Sequence, residues 1–156
     1  MIQNAPEQYF VIRSPYAQCI LAGVKTFEFR SFPKMFSNKR LAIAVAKSFC
    51  DDEDLEGQFL YWEKQLKKSL KKSSKKESNA ALEKFWKCCK KAERLLNKTN
   101  GCGMIIGEVV TGDVSVFDRK SGIPILRFKL WPEAKWKKSP GGLGVRYMPG
   151  AKRKSR

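Results

Sequence analysis

The sequence predicts an α+β protein in which a small sheet or barrel of short strands flanks a two-helix insertion. Apolar runs rich in β-branched and aromatic residues, bounded by Gly, Pro and Ser, cluster before Cys50 and after Gly101. Between about Asp54 and Asn100 the apolar spacing changes to three and four residues, the period of an amphipathic helix. A chain of 156 residues, 42% of them hydrophobic, can build one core but not two. Residues 1–150 are therefore read as a single domain, and residues 151–156 as a basic tail.

Tyr9 to Arg13 reads as the first strand. Ser14-Pro15 then resembles a helix cap followed by proline at the first helical position. Ile20 and Leu21 would face inward, and Gly23 would close the helix. From Thr26 to Arg30 the apolar residues alternate. Phe27 and Phe29 are expected on the buried face, with Thr26, Glu28 and Arg30 on the other. Phe32 to Arg40 forms a turn, and Leu41 to Ala46 is short and apolar enough for a core strand.

In the insertion, one stripe is Leu55, Phe59, Trp62, Leu66 and Leu70, and the other is Leu82, Phe85, Cys89, Ala92 and Leu96. Ser73 to Ser78 is expected to turn between them. Both stripes are narrow and the strands on either side read as complete, so the hairpin is expected to be a separable addition. Met104 to Val110 reads as a buried strand that continues into, or pairs with, Val114 to Phe117. Leu126 to Trp131 is another strand, and Val145 to Met148 a last short one.

The most specific local pattern is Gly23, Lys25, Glu28 and Arg30 directly after the short helix. This run resembles the signature of the ASCH domain family, Gly-x-Lys-x-x-Glu-x-Arg. Leu41 to Ser48 and Ile105 to Val110 look like later strands of that family. The resemblance covers about the first 48 residues and Gly103 to about Trp131, leaving out the hairpin and the tail. It implies a PUA-like β-barrel with a helix or two beside it. It also implies RNA binding or transcription coactivation and, in some members, action on RNA or modified nucleosides.

Lys25 and Arg30 are thus expected to hold a phosphate or base edge in a cleft, with Glu28 orienting them or accepting a base N–H. Alternatively, Lys25, Glu28 and Arg30 form an ion-pair ladder on the surface of one strand. Thr26 lies in the same run. Tyr16 stacks on a base or caps the core, and Lys47 and Ser48 emerge at the end of a buried strand. Lys25, Glu28 and Glu108 are the catalytic candidates, Glu108 being the odd acid in an apolar strand. Some ASCH proteins are similar to a nucleoside amidohydrolase that uses the motif lysine, a threonine three residues on and a distal glutamate. Here Glu28 replaces that threonine, and the distal role falls to Glu108.

Charge narrows the partner. Lys and Arg number 32 against 15 Asp and Glu, a net charge of +17. Self-repulsion of that size is relieved by a polyanion. Apolar runs are too short to span a bilayer, and Met1 to Gln8 carries no signal pattern, so nucleic acid is preferred over a membrane. Phe59 to Lys98 holds 13 Lys and Arg against 4 Glu. A second basic patch includes Lys137, Lys138 and Arg146, with Trp136 among them as a stacking candidate. The five cysteines read as reduced thiols in an intracellular protein. Without histidine there is no Ser-His-Asp or Cys-His catalysis, and with no Cys-x-x-Cys pair and no histidine to complete a tetrahedral set no zinc site is expected, so no metal or cofactor is expected. The leading expectation is an RNA-binding protein, with single-stranded RNA favoured. The alternatives are a ribonuclease or amidohydrolase, and a basic docking protein for a ribonucleoprotein or acidic partner.

Overall fold

A computed structural model describes residues 4–150; the basic tail lies outside the described residues. The strands are β1 (Gln8–Ile12), β2 (Phe27–Glu28), β3 (Arg40–Val45), β4 (Met104–Thr111), β5 (Ser115–Phe117), β6 (Lys120–Leu130), β7 (Lys137–Lys138) and β8 (Arg146–Tyr147). The helices are α1 (Tyr16–Leu21), α2 (Asp52–Ser69) and α3 (Lys75–Thr99). The class is α+β, with one mixed sheet.

The sheet runs β2-β6-β4-β3-β1-β8, with β5 on β6 and β7 on β4. β1 and β3 are parallel, and the other pairs are antiparallel. Its ends, β2 and β8, are two residues each and do not pair with one another among the described residues. The expected barrel is therefore an open sheet: strands this short supply too few ladder bonds to close it.

β3 is the central strand, and Leu41 to Val45 are all buried. Its neighbour β4 brings Ile105, Ile106 and Val109 into the same core. Several expected connections differ. β5 pairs with β6 rather than β4, across a two-residue turn at Asp118 and Arg119, both at positive φ, the conformation that lets a tight hairpin follow strand twist. β6 starts at Lys120, earlier than the expected Leu126, and so includes a glycine and a proline, residues that ordinarily weaken a strand. In the fold, Gly122 makes room for the Phe27 and Phe29 rings, and Pro124 pairs with Phe27. Ser14 does not cap α1. Pro15 holds the cap position, and the Ser14 hydroxyl accepts hydrogen bonds from Gln18 Nε2 and Gly101 N–H.

The helices begin where their caps dictate. Asp51 and Asp54 form a reciprocal capping box at the start of α2. The Ser74 side chain accepts from Glu77 N–H, so α3 starts inside the expected Ser73–Ser78 turn. The hairpin is joined to the core. Leu95 packs in the main sheet cluster, while Leu55, Trp62, Phe85, Cys89, Ala92 and Leu96 form a second cluster with Cys19, Ala22 and Val24 beside α1. Buried Gln18 also donates to Thr99 Oγ1 at 3.0 Å.

This packing replaces the separable hairpin with a divided one. Exchanging residues 54–100 for a short glycine-serine linker is expected to give no folded product, because it strips both clusters. Exchanging only residues 67–80 should leave a cooperative thermal transition, since the described buried residues of the hairpin all lie outside that span. Circular dichroism melts of the two deletions check this.

Candidate functional site

Gly23 sets the geometry of the site. α1 ends in a paired reversal: Val24 N–H donates to Cys19 O and Gly23 N–H to Ile20 O, with Gly23 at φ +86°. Such a helix end needs a left-handed residue, and a Cβ here would also come within 2.8 Å of the Phe128 ring. The turn throws the chain back along the sheet, with Lys25 and Glu28 pointing inward.

Both are buried, at 4% and 6% exposure. This corrects the expected half-buried strand, in which Glu28 faced outward and the phenylalanines inward: Phe27 and Phe29 are only partly buried. It also replaces the surface ladder with an enclosed ion cluster. Glu28 Oε1 lies 3.6 Å from Lys25 Nζ and accepts from Phe29 N–H at 3.1 Å. Glu28 Oε2 accepts from Arg30 Nε at 3.2 Å. Arg30 also donates to Val11 O at 2.7 Å, and its guanidinium lies over Phe10 and Phe36.

The Lys25 ammonium is caged by rings. Its Nζ lies 4.9 Å from the Phe29 centroid, 5.2 Å from Trp62 and 5.6 Å from Tyr16, within cation–π range. Burial holds the Lys25 pKa below the ordinary lysine value, with the Glu28 carboxylate opposing part of that shift.

These groups line a cleft of about 750 Å³. Tyr16, Lys25, Glu28 and Arg30 meet there as expected. Arg13 from the end of β1, Phe29, Lys120 at the start of β6, and Gln58, Tyr61 and Trp62 from α2 join them. α2 is fastened as a wall: Tyr61 Oη donates to Asp118 Oδ2 at 2.8 Å, and Trp62 stacks on Phe117. Burial, reinforced by that hydrogen bond, pushes the Tyr61 hydroxyl up to about 12, so it stays a donor at neutral pH. Spacing along α2 marks Trp62 as one more stripe residue, and nothing local separates it as a site residue.

Other expected residues lie elsewhere. Thr26 opens on a groove beside α2 and α3. Lys47 and Ser48 are exposed beyond β3, and the Lys47 side chain lies across Gly103. Trp136 is not a free stacking surface: it packs on the core and its Nε1 donates to Trp131 O at 2.8 Å. Lys137 and Lys138 form β7 at the edge of β4. The Arg146 Nε donates to Leu143 O at 3.2 Å within the run Gly141-Gly142-Leu143-Gly144, of which Gly142 and Leu143 border the cleft.

Glu108 is not assembled with Lys25. It is ion-paired with Arg40 at 2.6 Å and accepts from Trp131 Nε1 at 3.0 Å. Burial raises its pKa, but the hydrogen bonds from Arg40 and Trp131 and the charges of Arg40 and Lys129 outweigh this and hold it below the ordinary value.

Cys19 and Cys89 are buried, which pushes both thiols up to about 12 and keeps them protonated. Among the described residues, no group of three or more Cys, Asp or Glu is placed to hold a metal ion. No described helix is long and apolar enough to cross a membrane. No family model matches the chain, and no curated protein matches it at a significant level.

Proposed function

We propose that the protein is an RNA-binding module whose cleft takes one nucleotide of a single strand, while lysines of the hairpin and the C-terminal surface hold neighbouring phosphates. The observation that carries this reading is the make-up of the cleft. Arg13, Lys25, Arg30 and Lys120 line it together with one carboxylate, Glu28, which Lys25 and Arg30 hold, and with the Tyr16, Phe29, Tyr61 and Trp62 rings. Cations mixed with flat rings suit a strand whose bases stack and whose phosphates need neutralising. The volume falls in the range of small-ligand sites, about 300–1,000 Å³.

The likeness of Gly23, Lys25, Glu28 and Arg30 to the ASCH signature supports the same reading and, with it, kinship to PUA-like folds. Binding is favoured over amidohydrolysis. Glu28 stands where that chemistry uses a threonine, and its carboxylate is engaged by Lys25 and Arg30. Glu108, the distal candidate, is held outside the cleft by Arg40.

Fluorescence anisotropy with a labelled single-stranded RNA tests the proposal. If about six phosphates are contacted, log K should fall against log salt with a slope near ~ −4. Tyr16 is 39% exposed, so Tyr16→Ala should spare the fold. It should also cost about 1–3 kcal/mol of binding if a base stacks there. The deletion of residues 67–80 removes six lysines (Lys67, Lys68, Lys71, Lys72, Lys75 and Lys76), and should flatten the slope while leaving the Tyr16 effect intact. A flat salt response in the full chain would overturn the electrostatic part of the reading, and no loss in Tyr16→Ala would remove the cleft from the binding reaction.

A further inference from the structure

Among the described residues, β6 is paired with a strand along its outer edge only near its beginning. β2 pairs with Ile123 and Pro124, and Ile125 N–H donates to Thr26 O. Beyond that point no described strand lies on this side, and residues 126–130 are all exposed. Leu126, Phe128 and Leu130 are open to 61%, 48% and 41%.

The register shows which backbone groups are free to pair. Trp131 N–H donates to Ile106 O, and bonded and non-bonded pairs alternate along an antiparallel ladder. Lys129, opposite Glu108, and Arg127, opposite Val110, therefore turn their backbone groups toward β4. Phe128 and Leu130 present theirs outward. Their side chains share one face of the strand, and those of Arg127 and Lys129 share the other. Such an edge is a template for another strand unless something blunts it.

We propose that this edge receives an extended acidic segment of a partner protein as an added strand. Carboxylates of that segment lie opposite Arg127 and Lys129, and apolar side chains lie opposite Phe128 and Leu130. Charge argues against a second copy of the chain. The antiparallel registers that set Phe128 of one copy opposite Phe128 or Leu130 of the other also set Lys129 opposite Arg127 or Lys129. Directly opposed like charges destabilise a strand pair, and each chain carries +17. A nucleic acid would satisfy the two cations but leave the apolar side chains and outward backbone groups without complements. The added strand completes all three, in the manner of strand addition at a free sheet edge. This inference does not depend on what the cleft binds.

The test uses the full-length protein and a short fluorescein-labelled peptide of alternating Glu and Val. It is compared with the same composition in scrambled order and with the alternating peptide N-methylated at every second residue. The alternating peptide should bind about tenfold or more tighter than either control. It should slow amide exchange at Phe128 and Leu130. The Arg127→Glu, Lys129→Glu protein should instead prefer alternating Lys and Val. Equal binding of the scrambled peptide, or unchanged exchange at those two amides, would overturn the proposal. So would self-association in sedimentation that protects the same amides, or equal protection of them by an RNA oligomer.

Discussion

Replacing Glu28 with alanine is expected to lower stability by about 3–5 kcal/mol, the usual cost of removing one partner from a buried ion cluster. For a chain of this size that is a fall in Tm of roughly 10 °C. The carboxylate answers two cations at once, Lys25 at 3.6 Å and Arg30 at 3.1 Å, and the Lys25 side chain is only 5% exposed. Arg30 retains Val11 O and partial contact with water, so most of the cost comes from Lys25 left charged among aromatic rings. Glu28→Gln keeps the shape and can still accept from Phe29 N–H, and should lose less. Thermal melts at neutral pH check the order wild type, Gln, Ala. A loss in Glu28→Ala no larger than about 1 kcal/mol would put the cluster among ordinary surface ion pairs.

Lys25→Met is expected to act in opposite directions on binding and on stability. RNA affinity should fall about tenfold or more, as charge-assisted hydrogen bonds are worth about 1.5–3 kcal/mol. A control with Lys71→Ala and Lys75→Ala should lose less, because those two lysines lie at the hairpin end, away from the cleft. The melting temperature should stay level or rise. Methionine keeps most of the apolar stem inside the ring cage and removes a desolvated charge, while Glu28 keeps Arg30 and Phe29 N–H.

The dependence on pH gives an independent readout. The folded-state pKa of Lys25 is lowered below its usual value near 10.5, so between the two values the unfolded chain binds more protons. Stability from this group therefore rises with pH across that alkaline window. The advantage of Lys25→Met should be greatest at neutral pH and shrink as pH climbs toward 10.5. An advantage that does not change with pH would mean that Lys25 is not held charged at a cost.

Some of this was readable without coordinates. The α+β class, the core strand read over Leu41 to Ala46, the two amphipathic helices and the glycine that ends α1 all follow from spacing and backbone preference, which are local properties. The grouping of Tyr16, Lys25, Glu28 and Arg30 was legible for the same reason, since all four lie within one helix-turn-strand unit. Strand pairing was less accessible. Nothing local states that β5 joins β6, or that Gly122 and Pro124 belong inside a strand, because the reason is that Gly122 lies against the Phe27 and Phe29 rings and Pro124 pairs with Phe27.

By itself, then, the sequence determined the elements, the basic charge and the motif that carries the candidate site. Only the tertiary structure decided which way the motif faces. Alternation put Glu28 outside, on the rule that charged groups avoid burial; the fold puts it inside because Lys25 and Arg30 come with it and share its desolvation. Tertiary contacts likewise brought Trp62 and Tyr61 from a distant helix to form the cleft wall, left Glu108 with Arg40, and seated Trp136 on the core. Each of those depends on a neighbour remote in the chain, and no window along the sequence contains both partners.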